Sequence, residues 1–157
     1  MGFTFAINAT NEGSLNKLTI KPTGLTEQKG PIEVDIDGSV TNAEIADLDV
    51  NGFPEVYAYV NSAGSGSYGS LVGYAVNKGK SMTEIYLPPI ADDKKHNAGY
   101  MGHDEFAVFE GTFVQRFPIY RAGDANAAPT GKTRQLQYKL KPDEAGWKLV
   151  LDKAFEY

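Results

Sequence analysis

The sequence predicts an all-β protein, an antiparallel β-sandwich or flattened barrel of about 8–10 strands. Three observations predict it. About ten short runs alternate apolar and polar residues with period two. Clusters of Gly, Pro, Asn and Asp separate these runs. No run keeps the 3.6-residue apolar period of an amphipathic helix beyond a single turn.

In order, Phe3 to Ile7 alternates and reads as a strand, and the polar stretch from Asn8 to Ser14 as a turn. Leu15 to Lys21 is a second strand stopped by Pro22. Ile32 to Val40 alternates almost strictly, with Glu33, Asp35 and Asp37 on a solvated face, and reads as one strand. Ile45 to Val50 runs into the turn signal Asn51-Gly52. Val56 to Val60 and Leu71 to Val76 flank a glycine-serine loop and form a hairpin with a long tip. Met82 to Leu87 is a short strand ended by Pro88-Pro89, and the irregular region that follows has room for one helical turn. Glu105 to Phe109 and Thr112 to Tyr120 are aromatic-rich strands. Pro118 lacks an amide donor and therefore belongs at an edge or a bulge. Arg134 to Lys141 and Trp147 to Leu151 make a C-terminal hairpin around Pro142 to Gly146.

The 157 residues form one domain, 1–157. A chain of that length buries roughly two-thirds of its unfolded surface and needs no staple to fold. The net charge of −5 argues against nucleic acid, which demands a basic face. The same charge favours encounter with a basic protein. Cysteine is absent, which excludes disulfides, thiolate catalysis and Cys-ligated zinc. No apolar run reaches the ~18 residues of a membrane-spanning helix. No signal peptide is visible at Met1-Gly2-Phe3, which opens straight into a strand pattern and fits a mature form.

Gly64-Ser65-Gly66-Ser67-Tyr68-Gly69 matches G-x-G-x-x-G. A dinucleotide fold needs a helix to start there, and a strand follows instead. The kinase loop is a hairpin, but the H-R-D and D-F-G signatures are missing. Asp47-Leu48-Asp49-Val50-Asn51-Gly52 is similar to the start of a calcium loop. The twelfth position, where an EF-hand carries a bidentate Glu, is Ala58, so the segment reads as a type I′ turn on Asn51-Gly52 with solvent-facing aspartates. No metal site and no cofactor is predicted. The two histidines, His96 and His103, have no spacing that joins them to Ser65 or Asp104 as a triad, and Ser65 is not in G-x-S-x-G, so the protein reads as a non-enzyme. Phe106, Phe109, Phe113, Phe117, Tyr120, Tyr138 and Trp147 read as core before they read as a ligand cavity.

At Ser65-Gly66-Ser67-Tyr68 the chain resembles the periplasmic inhibitors of invertebrate-type (i-type) lysozymes, which carry a Ser and a Tyr three positions apart in a glycine-rich loop. The resemblance extends to the order of strands around the loop and to the aromatic second half. It implies a periplasmic inhibitor whose loop, Gly64, Ser65, Gly66, Ser67, Tyr68 and Gly69, enters the lysozyme's substrate cleft. It gives Ser65 the contact to a catalytic carboxyl group and Tyr68 a sugar subsite. The glycines would supply positive φ and close backbone approach. Because ordering a loop opposes binding, the loop should be restrained by its stem or by a second loop. The partner implied is an i-type lysozyme, with a symmetric homodimer compatible with the exposed strand edges. The alternative from a different class is a β-barrel that binds a small ligand or carbohydrate.

Overall fold

The structure is a computed structural model describing residues 2–28, 30–64 and 67–157. It is all-β, with eleven strands among the described residues: β1 Thr4–Ala9, β2 Leu15–Thr23, β3 Ile32–Asp37, β4 Ser39–Ala46, β5 Glu55–Asn61, β6 Gly69–Asn77, β7 Ser81–Tyr86, β8 Glu105–Phe109, β9 Thr112–Pro118, β10 Thr133–Asp143 and β11 Gly146–Glu156. One helical turn, Ile90–Asp92, interrupts the long connection after β7. β1-β2-β3 make a small sheet, and the other eight strands a large one in the order β4-β5-β6-β7-β11-β10-β9-β8.

The large sheet curls until its two edges meet, giving a nearly closed barrel. No backbone ladder joins β4 to β8 among the described residues. The seam is bridged by Glu44 instead, whose Oε2 accepts the Val108 amide at 2.9 Å and also the Tyr59 hydroxyl. Every pairing is antiparallel except one. β7 and β11 run parallel, through Trp147–Ile85 and Lys148–Tyr86, so the large sheet is mixed.

Period-two alternation on β5 explains the layering. All residues from Glu55 to Val60 are buried, because this strand has a core on each face. Tyr57 and Tyr59 point into the barrel with Phe113, Phe117, Leu136 and Leu149. Val56, Ala58 and Val60 point outward and are covered by Leu18, Ile20 and Ile36 of the small sheet. The barrel interior is filled by rings in contact, with centroids of Tyr57–Phe113 and Phe106–Phe113 5.6 and 5.7 Å apart. The aromatic residues therefore build core, as their spacing predicts. Phe109, 65% exposed, and Tyr120, which lies outside both cores and stacks on His103, are the exceptions.

The alternating run 32–40 is two strands, not one. It breaks at Gly38, whose φ is +131° and where a Cβ would stand 1.9 Å from the Asn61 carbonyl oxygen. The chain passes there from the small sheet to the large one. Buried Asn16 holds the crossing, its Nδ2 donating to the Gly38 carbonyl at 2.6 Å. Pro22 does not stop β2. It lies past Ile20, the last residue paired to β3, so no donor is missed on that side. Pro118 likewise lies past Arg116, the last residue of β9 paired to β8, and behaves as an edge residue within an inner strand. Glu33, Asp35 and Asp37 are exposed, as the alternation predicts.

Candidate functional site

The β5–β6 connection carries the site expected from the sequence. Ser65 and Gly66 lie outside the described residues. Around them the loop is fastened. The Ser62 amide donates to the Tyr68 carbonyl at 2.8 Å, and the Tyr68 amide to Ser62 Oγ at 3.0 Å, which closes the neck of the loop. Gly64 at φ +108° and Ser67 at φ +49° turn the chain through the left-handed region. A second loop braces it. The His103 amide donates to the Ser67 carbonyl at 3.0 Å, and the Gly69 amide to Asp104 Oδ1 at 3.0 Å. The restraint expected of this loop comes from stem and neighbour together.

Asp104 is the post to which the loop is tied. It is only 7% exposed. Besides Gly69 it accepts the Tyr100 hydroxyl on Oδ1 and Gln115 Nε2 on Oδ2, each at 2.7 Å. Gln115 Oε1 in turn accepts the Tyr138 hydroxyl at 3.2 Å, which anchors the network in the barrel interior. Burial, and then the bond to Asp104 and its charge, hold the Tyr100 hydroxyl well above the ordinary phenol range. Position 69 has to be glycine, because a Cβ would come within 2.7 Å of Asp104 Cβ and of the Phe106 ring. Of the expected glycine roles, Gly64 supplies the positive φ and Gly69 the close approach.

Tyr68 stands out from this frame, 44% exposed, its ring meeting Tyr100 edge-on at 5.7 Å. Tyr100 is backed by Phe117 at 4.8 Å. Next to Tyr68 a cleft of about 500 Å³ opens, lined on its apolar side by Leu71, Leu87, Pro88 and Ile90, with Gln115 at its polar end. The sequence did not point to this cleft. Its walls come from the Pro88-Pro89 segment and the loop's own stem, which nothing in the local pattern brings together.

The histidine rings are placed apart from the loop, although the His103 amide braces it. His96 Nδ1 pairs locally with Asp93 Oδ2 at 2.8 Å. The His103 ring stacks on Tyr120 and its Nε2 is 3.3 Å from Asn126 Oδ1. Neither lines the cleft beside Tyr68.

At the opposite end of β5, the β4–β5 connection differs from the expected turn. Positive φ falls on Val50 (+54°) and Gly52 (+87°), not on the pair Asn51-Gly52, so no type I′ turn forms. The aspartates are half-buried, and their oxygens collect amides: Asp47 Oδ1 accepts Asn51 N at 3.1 Å and Asp47 Oδ2 accepts Gly52 N at 2.9 Å. Glu55, the first residue of β5, turns its carboxylate into this connection. Its Oε1 accepts the Leu48 amide at 2.7 Å and the Tyr57 hydroxyl at 3.0 Å. Burial pushes the Glu55 carboxyl up to about 7. Burial followed by the bond to Asp47 raises Asp49 as well.

No family model, no curated protein and no solved structure matched this chain.

Proposed function

We propose that the protein is an inhibitor of i-type lysozyme that presents the 62–69 loop to the enzyme's active-site cleft. One arrangement supports this reading above the rest: Tyr68 is held half-exposed on a loop whose backbone is pinned on both sides of it, at Ser67 and at Gly69. A loop ordered before contact loses little freedom on binding. A central tyrosine is a typical anchor of a tight interface. Lysozymes cut glycans with a pair of carboxyl groups in a cleft. In the proposed complex Ser65 meets one of those carboxyls through its hydroxyl, which both donates and accepts, and Tyr68 fills a neighbouring sugar subsite. Such a function belongs in the periplasm, where bacterial cell walls meet a host's lysozyme.

The test is a lysis assay with an i-type lysozyme, run beside a chicken-type enzyme as control. Wild-type protein should suppress lysis by the i-type enzyme. Tyr68→Ala should weaken inhibition about 30-fold or more, as expected for an anchor worth about 2 kcal/mol. Ser65→Ala should weaken it too, and neither variant should shift Tm by more than a few degrees. Full inhibition by the double variant would sink the proposal.

A second reading is favoured by the apolar cleft of about 500 Å³ beside the same tyrosine. A cavity of that size with one polar end suits a small ligand or a sugar ring. Calorimetric titration with N-acetylglucosamine oligomers separates the two. Saturable binding lost in Leu71→Trp, together with no effect on any lysozyme, would replace the inhibitor by a ligand-binding module.

A further inference from the structure

We propose that the β4–β5 connection is a calcium site, built by Asp47, Asp49 and Glu55, at the end of β5 remote from the 62–69 loop. The first observation is proximity. One carboxylate oxygen from each of these residues lies within 4.8 Å of the other two. Calcium holds its oxygens at about 2.3–2.6 Å, so ligands on opposite sides of it stand about 4.6–5.2 Å apart. Magnesium would draw them to about 4.0–4.2 Å and prefers to keep its waters. An all-oxygen donor set excludes the softer transition metals as the natural choice.

The second observation is independent of the clustering. Glu55 is 1% exposed, and its Oε2 is buried with no hydrogen-bond partner among the described residues. A buried carboxylate oxygen without a donor is costly in a folded protein. Glu55 Oε1 is already committed to Leu48 N and the Tyr57 hydroxyl, so the side chain cannot swing out to water without breaking both bonds. No lysine, arginine or histidine makes an ion pair with Asp47, Asp49 or Glu55 among the described residues. A divalent cation bound by the Glu55 carboxylate would give its unpartnered oxygen a counter-charge and neutralise most of the charge that the three acids bring together.

The spacing accounts for the geometry. Asp47, Asp49 and Glu55 stand at the first, third and ninth places of a loop that winds around a point, with Asn51 at the fifth and Gly52 turning the chain after it. The first strand residue supplies the acid that an EF-hand takes from its twelfth place. A search for Glu at that twelfth place therefore finds Ala58 and passes over Glu55. The bound ion would lock the connection to the first residue of β5, the strand that both cores share.

Thermal melts and terbium luminescence test this. In wild-type protein stripped with EDTA, CaCl₂ at about 100 times Kd should raise Tm by roughly 5–10 °C, and EDTA should reverse the rise. MgCl₂ should do less. Terbium(III), which takes calcium's oxygen ligands, should luminesce on excitation of tyrosine, because the Tyr57 hydroxyl is 3.0 Å from Glu55 Oε1. Excess CaCl₂ should quench that signal. Asp49→Asn, in the half-buried connection, should fold and lose the calcium response at least tenfold in midpoint. Glu55→Gln should lose it altogether, and its unliganded Tm should not fall. A wild-type Tm and terbium signal indifferent to calcium up to roughly 10 mM, about ten times the weak end of natural calcium modules, would overturn the proposal. So would an undiminished response in both variants. Lysozyme inhibition is scored separately, since the site and the 62–69 loop sit at opposite ends of β5, about 20 Å apart at strand rise.

Discussion

Asp104 carries more of the candidate site than any residue that the sequence singles out. Its two oxygens collect donors from Gly69, Tyr100 and Gln115, which belong to a strand start, a loop and an inner strand. Asp104→Ala leaves those three donors facing each other around a small void. We expect a loss of about 3 kcal/mol and a Tm lower by roughly 10 °C in a denaturation experiment. Amide exchange at Gly69 and His103 should speed up together, because the brace between the two loops is gone. A variant that melts like wild type would show that water replaces the carboxylate at no cost. At this scale the sequence is legible only in part. Gly64 and Gly69 are recognisable as residues that something requires. That Gly69 is required by Asp104 is not, because the two are brought together by the fold and no local pattern links them. Glu55 was missed for a related reason. It reads as the start of a strand, and its burial becomes visible only when Leu48 and Tyr57 are seen to bond to it.

Among the elements, the strands themselves were the most legible feature. Period-two alternation located β5, β6 and β8 close to their observed bounds, while the last strand, expected to end at Leu151, runs on to Glu156. The break at Gly38 was hidden because alternation continues across it, from Ile36 through Val40, while the backbone changes sheet. The prolines misled in the other direction. Each removes a donor, but whether a donor is needed depends on the neighbour at that one position, and neither Pro22 nor Pro118 has a partner strand there on one side. The seam between β4 and β8 is the element most open to test. A side chain does there what a ladder does elsewhere, so the closure depends on Glu44. Glu44→Ala should cost about 2 kcal/mol in urea unfolding by stranding the Val108 amide and the Tyr59 hydroxyl. The Val108 amide should exchange markedly faster than those in the middle of β9. Equal protection in variant and wild type would mean that the edges are held by packing alone.

For the whole molecule, the all-β class follows from the pattern of runs and turns. The strand order does not. The parallel contact of β7 with β11 joins runs that lie far apart in the chain, and nothing in either run announces the other. The net charge of −5 acts at this scale too. If the partner is a basic lysozyme, association should slow as ionic strength rises from about 0.05 to 0.5 M while dissociation changes little, in stopped-flow or surface-binding kinetics. An association rate unaffected by salt would remove charge from the account of recognition.

The β7–β11 pairing also sets the order in which the molecule is assembled. β4 to β7 form a meander that can pair as soon as each strand is made, and β8 to β11 form another. Among the described residues the only backbone ladder between the two halves is the one in which Ile85 and Tyr86 pair with Trp147 and Lys148, and it waits for β11. A nascent chain therefore holds β7 as an open edge until β11 has been made. Such distant contacts make for slow folding, in the range of milliseconds to seconds. They also keep the barrel unclosed until β11 has found β7.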